Sequence, residues 1–319
     1  MLNSEFATAR VGKSNSRISK WLKLAIKQKY LVLMSFPFVI WLIIFSYIPL
    51  WGWTMAFQDY KPGLPFQEQE WIGLKYFIIM FKDPDFYNSL RNTLVMSSLS
   101  FVVGFTFPVI LALLLNEIMN ERFRRSIQTI SYLPHFVSWV VVAGIAKEML
   151  SLDGPINFIL VNLGIVNEPV LLLAKPELFW INLTTIGLWK EIGWSSIIFF
   201  AAISGIPQEH YEAATMDGAG RFKRMWHITL PGIMPTVTVM MIMSLGGILN
   251  TGFEAQLLMR NDLVRDVSDT LDLYVLNAGI NSGRFAFGTA VGMAKSVVSV
   301  ILVFGANILS GKISEYRIV

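Results

Sequence analysis

Uncharged apolar runs long enough to cross a lipid bilayer recur along this chain, and they constrain its fold more than any other feature. A helix rises 1.5 Å per residue, so about 20 apolar residues span the roughly 30 Å of hydrocarbon. Four runs are clear, at 31–57, 92–116, 126–146 and 232–253. Two more, at 178–206 and 285–311, are apolar except for Lys190 and Glu191 in the first and Lys295 in the second. Six helical spans is the simplest count, because fewer would leave long apolar segments in water. The expected fold class is therefore all-α and polytopic. Composition agrees: 54% of the 319 residues are hydrophobic and 15% charged, against roughly 45–50% and about 25% in soluble domains.

Charge gives an orientation. With the N-terminus placed in the cytoplasm, the inner segments 1–30, 117–125, 207–231 and 312–319 hold 15 Lys and Arg against 7 acids. The outer segments 58–91, 147–177 and 254–284 hold 9 against 14. Basic residues favour the inner side of a membrane, so both termini are expected there. The formal charge of +4 is thus matched to lipid headgroups rather than to nucleic acid. Zero cysteines and three histidines exclude disulfides and thiolate metal sites and offer no metal cluster.

The basic stretch before the first run precedes an apolar segment too long for a secretory signal, with no small-residue cleavage site after it, so it reads as a retained span. Within it, Ile18, Trp21, Leu22, Ala25 and Ile26 share one helical face and Arg17, Lys20, Lys23 and Lys27 the other, a pattern for a helix lying in the inner headgroup layer. The expected organisation is a basic surface segment at 1–30, a first span at 31–57, an extracytoplasmic loop at 58–88, a membrane domain at 89–311 and an inner tail at 312–319. Pro37, Pro49, Pro108 and Pro134 fall where they would kink helices or mark span ends.

The inner loop SGIPQEHYEAATMDGAGRFKRMWHITLP, residues 204–231, is too regular for a connector. Ser204 is a candidate N-cap, Pro207 suits a first turn, and Glu209 would face the positive helix end. A short helix through Tyr211 to Ala214 should break at Asp217–Gly220, and a second stretch over 221–228 should lead to the fifth span.

Glu212, Ala213, Ala214, then Gly218, then Ile228, Leu230 and Pro231 match the signature loop of permease subunits in binding-protein-dependent ABC importers, and the chain resembles that family over about 89–311. The context EAATMDGAGRFKRMWHITLPGIMPT is similar to its carbohydrate branch. The segments around 30–63 and 252–280 resemble a subgroup importing acidic oligosaccharides from plant or algal polysaccharides such as pectin or alginate.

The resemblance implies a type I importer permease fold whose loop 207–231 docks on a cytoplasmic ATPase. It implies that this subunit pairs with a second homologous permease, two ATP-binding subunits and an extracytoplasmic sugar-binding protein. The chain lacks a G-x-x-x-x-G-K-[ST] phosphate loop, so ATP and Mg would sit on the partners, with no cofactor on this subunit and no enzymatic role for it. Glu212 would meet a basic group, Ala213 and Ala214 would permit close approach, and Asp217 and Gly218 would form the bend.

Charges within spans are costly against lipid, by roughly 2.5–3.5 kcal/mol each on insertion scales, so Lys190, Glu191 and Lys295 should face protein or water. One reading makes Lys190 and Lys295 contacts for an acidic sugar, with Trp189 or Trp194 stacking on a sugar face and Asn250 and Glu254 bonding hydroxyls. The other makes them structural pairs and helix-packing groups, and His135 a helix-end hydrogen-bonding residue. Two rival classes, an ion-coupled transporter acting alone and a membrane-embedded enzyme, would need an ionisable relay with internal repeats, or a nucleophile with its base, and neither pattern is evident.

Overall fold

The computed structural model describes residues 27–313, with side chains described to residue 305. The expected surface helix at 18–26 and residues 314–319 of the tail lie outside the described residues. The described chain is helical, apart from one isolated bridge between Gln58 and Trp71. Two units are distinguished, one ending at Thr54 and the other beginning at Met55.

The first apolar run forms α1, Lys29–Phe57, with a wide π segment at Ile43–Tyr47 and a 3-10 stretch from Ile48. None of its side chains from Lys29 to Leu42 is buried. A helix apolar on all sides needs lipid or another chain around it.

The second unit contains α2 (Lys75–Lys82), α3 (Pro84–Asn116), α4 (Glu121–Tyr132), α5 (Trp139–Met149), α6 (Pro155–Asn162), α7 (Pro176–Ser204), α8 (Gln208–Met216), α9 (Arg221–Gly246), α10 (Phe253–Met259), α11 (Arg265–Ser268), α12 (Leu271–Tyr274) and α13 (Phe285–Ile313). The helices α3, α7, α9 and α13 are each long and apolar enough to cross a membrane. Local chemistry starts them: Asp83 accepts from the backbone N–H of Asp85 with Pro84 in the first turn of α3, and Asn120 caps α4 by accepting from Phe123.

α3 and α7 form the central pair. At one end Val109, Ala112 and Leu113 of α3 meet Phe199 and Ile203 of α7 and Ile233 of α9. At the other, Met96, Phe179 and Leu183 pack with Ala143 and Ala146 of α5 and with Ala255 and Met259 of α10. Backbone carbonyls of the 261–270 segment are tied to that end: Asn92 donates to Asp266 and Asp269, and Trp180 donates to Val267, at 2.8–2.9 Å.

The structure corrects three expectations. The third apolar run, 126–146, is not one helix. α4 passes into a 3-10 turn at Leu133–Phe136, and α5 leaves it bent by 105°. Pro134 cannot donate in a continuing helix, and Ser138 opens a new one by accepting from the N–H of Val141 at 3.4 Å. The fifth span begins inside the loop, at Arg221, and ends at Gly246 rather than at Phe253. A π turn at Met225–Thr229 carries the helix through to Leu230 and Pro231, while Gly252, at φ 78°, separates it from α10. Ser204 is not an N-cap: it ends α7 with its hydroxyl donating to Phe200, and Pro207 takes the capping position of α8.

Candidate functional site

The loop between α7 and α9 is built by its glycine. α8 ends at Met216, and Gly218 follows at φ 75°, in the left-handed region that side chains disfavour. The N–H of Ala219 donates to Ala214 at 2.8 Å and that of Gly218 to Thr215 at 3.0 Å. These two bonds close a Schellman motif and satisfy carbonyls that a helix end leaves free. The chain then turns into α9 at Arg221. Glu212, Ala213, Asp217 and Gly218 are exposed, Ala214, Ile228 and Leu230 are half-buried, and Pro231 is exposed. Glu212 forms no ion pair among the described residues.

Sequence reasoning missed the apolar side chains around this bend. Met216, Phe222 and Trp226 are each at least 60% exposed, and so is Met119 from the neighbouring connection. Arg221 reaches Met119 Sδ at 2.8 Å. Exposed apolar groups beside an unpaired acid make this bend a candidate contact surface. The signal in the sequence was slight, since an isolated Met, Phe or Trp in an amphipathic loop reads equally well as core.

A second cluster lies at the break in the third span. Lys190, buried in α7, donates to the carbonyl of His135 at 2.7 Å and to Glu191 Oε1 at 3.1 Å. His135 Nδ1 and Glu191 Oε2 lie 2.7 Å apart, and the Trp194 ring stacks on the imidazole at 4.4 Å between centroids and 2° between planes. The Lys190 ammonium also lies 5.6 Å from the centre of the Trp139 ring. Non-helical backbone at membrane depth must have its polar groups satisfied by protein, and Lys190 does that for the carbonyl of His135. The absence of a side chain at Gly193 lets α7 approach: a Cβ there would collide with the backbone of Ser131.

Beside this cluster are two adjoining cavities of about 230 and about 200 Å³, which share Ser100, Gly104 and Asn250 in their walls. Glu191 and Thr251 line the larger and Ser97 the smaller. The buried hydroxyls of Ser97, Thr184 and Thr251 have no hydrogen-bond partner among the described residues, and Thr184 also lines the larger cavity. Buried polar atoms in this condition are unusual in a finished structure.

The residues read from the sequence as substrate-pathway candidates are therefore dispersed. Asn250 lines both cavities. Lys190 and Trp194 are engaged by His135 and Glu191. Lys295 is paired with Asp272 at 2.6 Å. Trp189 faces a different, apolar cavity against α5 and α6, and Glu254 is exposed in the first turn of α10.

At the end of the molecule bearing α10 to α12, Tyr274 donates to Asp83 Oδ2 at 2.5 Å. Burial, followed by the neighbouring Asp83, pushes its phenol well above the ordinary value of 10.0.

Comparison with known proteins places these features in a family. Two proteins of Bacillus subtilis (strain 168) are similar over nearly the whole chain: Protein LplB, 45% identical across 92% of each chain, and the polygalacturonan/rhamnogalacturonan transport system permease protein YteP, 44% identical across 91% of this chain and 90% of that one. Among solved structures, a bacterial ABC transporter involved in the import of the acidic polysaccharide alginate contains a chain 36% identical, with a TM-score of 0.84 over 92% of this chain and 99% of that one. A bacterial alginate ABC transporter in complex with an alginate pentasaccharide-bound periplasmic protein contains a chain 35% identical, with a TM-score of 0.84 over 93% of this chain and 99% of that one. A family model matches residues 104–315, and the chain belongs to the family it describes, the inner membrane components of binding-protein-dependent transport systems.

Proposed function

We propose that this chain is one of two permease subunits of an ATP-driven importer of oligosaccharides, those of acidic plant or algal polysaccharides in particular, and that it forms half of the path through the membrane. The observation that carries the reading is the 208–231 bend, where an unpaired Glu212, small Ala213 and Ala214 and a Schellman turn at Gly218 sit beside exposed Met216, Phe222 and Trp226. This surface suits a cleft on a cytoplasmic ATPase, with Glu212 meeting a basic group, Asp217 and Gly218 giving the bend, and Ile228, Leu230 and Pro231 joining it to α9. The partners are a second homologous permease, two ATPases that carry ATP and Mg, and an extracytoplasmic sugar-binding protein. The subunit itself is non-catalytic.

In this reading both termini are cytoplasmic, loop 58–88 is outside, residues 89–311 form the transport domain, and segment 1–30 lies on the inner surface. The two cavities belong to the path. Their unpartnered hydroxyls and Asn250 offer donors and acceptors to a sugar's own hydroxyls, while Glu191 is the one charged residue in either wall. Lys190 and Lys295 line neither, so this wall reads hydroxyls, and the cations for a uronate come from the second permease or the binding protein.

The test is gentle purification through a tag on this chain, native mass spectrometry of the assembly, and ATP hydrolysis with a panel of neutral and acidic oligosaccharides on their binding protein. One copy of this chain with a different permease and two ATPases, stimulated by acidic oligosaccharides, is expected. Recovery of the chain alone, even after cross-linking, would overturn the reading in favour of a stand-alone transporter.

A further inference from the structure

Four side chains around the loop close a hydrogen-bonded circuit between α8 and the foot of α9. Tyr211 Oη and Thr229 Oγ1 lie 3.0 Å apart, and the Thr229 hydroxyl donates onward to the carbonyl of Arg224 at 3.5 Å. From the same Arg224, Nη1 donates to Thr215 Oγ1 at 2.7 Å, and that hydroxyl donates to the carbonyl of Tyr211, also at 2.7 Å. With the Tyr211 hydroxyl as donor to Thr229, each threonine accepts one bond and gives one, and the circuit is satisfied in a single sense. Thr229 is fully buried, which shelters its end of the circuit from water, while the two bonds of Thr215 are exposed.

The circuit distinguishes the two helices that flank α8. Among the described residues no side-chain hydrogen bond joins α8 to α7. That connection is the backbone of Gly205, Ile206 and Pro207, and a cavity of about 530 Å³ lined by Ile206, Ala213 and His227 opens beside it. Of the two anchor points on α9, Arg224 immediately precedes the π turn Met225–Thr229 and Thr229 ends it, where helical geometry is already widened.

We infer that Tyr211, Thr215, Arg224 and Thr229 are positioning residues that make α8 and the foot of α9 one rigid body, so that displacement of the loop by the ATPase is delivered to the fifth span and not absorbed in the turn at 217–220. This rests on the coupling role proposed for the loop. Without the circuit, no side-chain hydrogen bond among the described residues would tie α8 to either neighbouring helix, and α8 would move without turning α9.

The whole importer in lipid nanodiscs tests this with Tyr211→Phe and Thr229→Val, singly and together. Expected are unchanged copurification of the ATPase and unchanged basal ATP hydrolysis, with the rate in the presence of sugar-loaded binding protein falling to the basal rate. The double variant should be no worse than either single one, and Thr229→Ser should restore stimulation. Because the chain has no native cysteine, spin labels at Gln208→Cys and Val239→Cys report the joint directly, and the distance distribution should broaden in the Tyr211→Phe and Thr229→Val variants. Full stimulation and an unbroadened distribution in the double variant would overturn the inference. A Glu212→Arg control separates the two levels: if it uncouples transport while the circuit variants behave normally, the inference alone fails. If Glu212→Arg leaves ATPase binding and uptake intact, the coupling reading fails and the inference with it.

Discussion

The Lys190 ammonium lies 2.7 Å from the carbonyl oxygen of His135, joining the middle of α7 to the point where the third apolar segment breaks. A lysine in a membrane span and a broken helix at membrane depth are each costly alone, and here each resolves the other. Glu191 completes the arrangement, taking Lys190 on one oxygen and His135 on the other.

Replacing Lys190 by Met should therefore destabilise the subunit by about 1–3 kcal/mol, the cost of leaving a buried acceptor without a donor. Uptake of neutral and acidic oligosaccharides should fall by the same factor, because the loss is one of folded subunit. Thermal melting of the purified assembly and paired uptake assays check this, and a selective loss of acidic substrates would instead give Lys190 a place in the path.

Gly104 lines both cavities, and a Cβ built on it meets nothing within 4 Å. Gly104→Leu places its Cβ in open space, extends its side chain into the cavities and adds helix propensity to α3, by about 1 kcal/mol relative to glycine. The expected variant melts no lower than the parent, still copurifies with the ATPase and transports nothing. Normal uptake would remove the cavities from the path.

The spans were legible because the bilayer sets a length, and any helix crossing it must show that length in hydropathy. Direction was not legible: 126–146 is uncharged whether straight or bent by 105°, and Pro134 alone could mark a kink as easily as a break. Lys190 and Glu191 were visible as isolated charges, but their partner lies 55 and 56 residues away and engages through a backbone carbonyl as well as a ring, which no residue pattern encodes. The bend at Gly218 was readable because its chemistry is local. The hydroxyls of Ser97, Thr184 and Thr251 were not, since a serine or threonine in a helix has the same spacing whether it meets lipid, a neighbouring helix or a cavity.

Tyr274 supplies a pH dependence at the end of the molecule bearing α10 to α12. Its native pKa is raised above the unfolded value near 10, so its contribution to stability is complete below that pH. Above it the unfolded chain loses the phenolic proton while the native state retains it, and stability falls as pH rises. Melting curves from pH 9 upward should show this fall, flattened in Tyr274→Phe. An identical slope in the two proteins would assign the alkaline loss to other groups.

Gly218 gives the sharpest test of the loop. Its φ of 75° costs a side chain about 1–2 kcal/mol, more when the Cβ is branched, and nothing lies within 4 Å to clash, so the penalty of Gly218→Val is one of backbone conformation. That strain falls on the Schellman bonds from Ala219 and Gly218, which hold the end of α8, and not on the apolar contacts between α3 and α7. The variant should reach the membrane in normal amount yet lose ATPase copurification and uptake together. Gly218→Asn should be milder, because asparagine tolerates the left-handed region better. Glu212→Arg reverses the charge on the same surface without touching the backbone and should abolish uptake equally. If Gly218→Val and Glu212→Arg both transport normally, the bend is not where the ATPase engages.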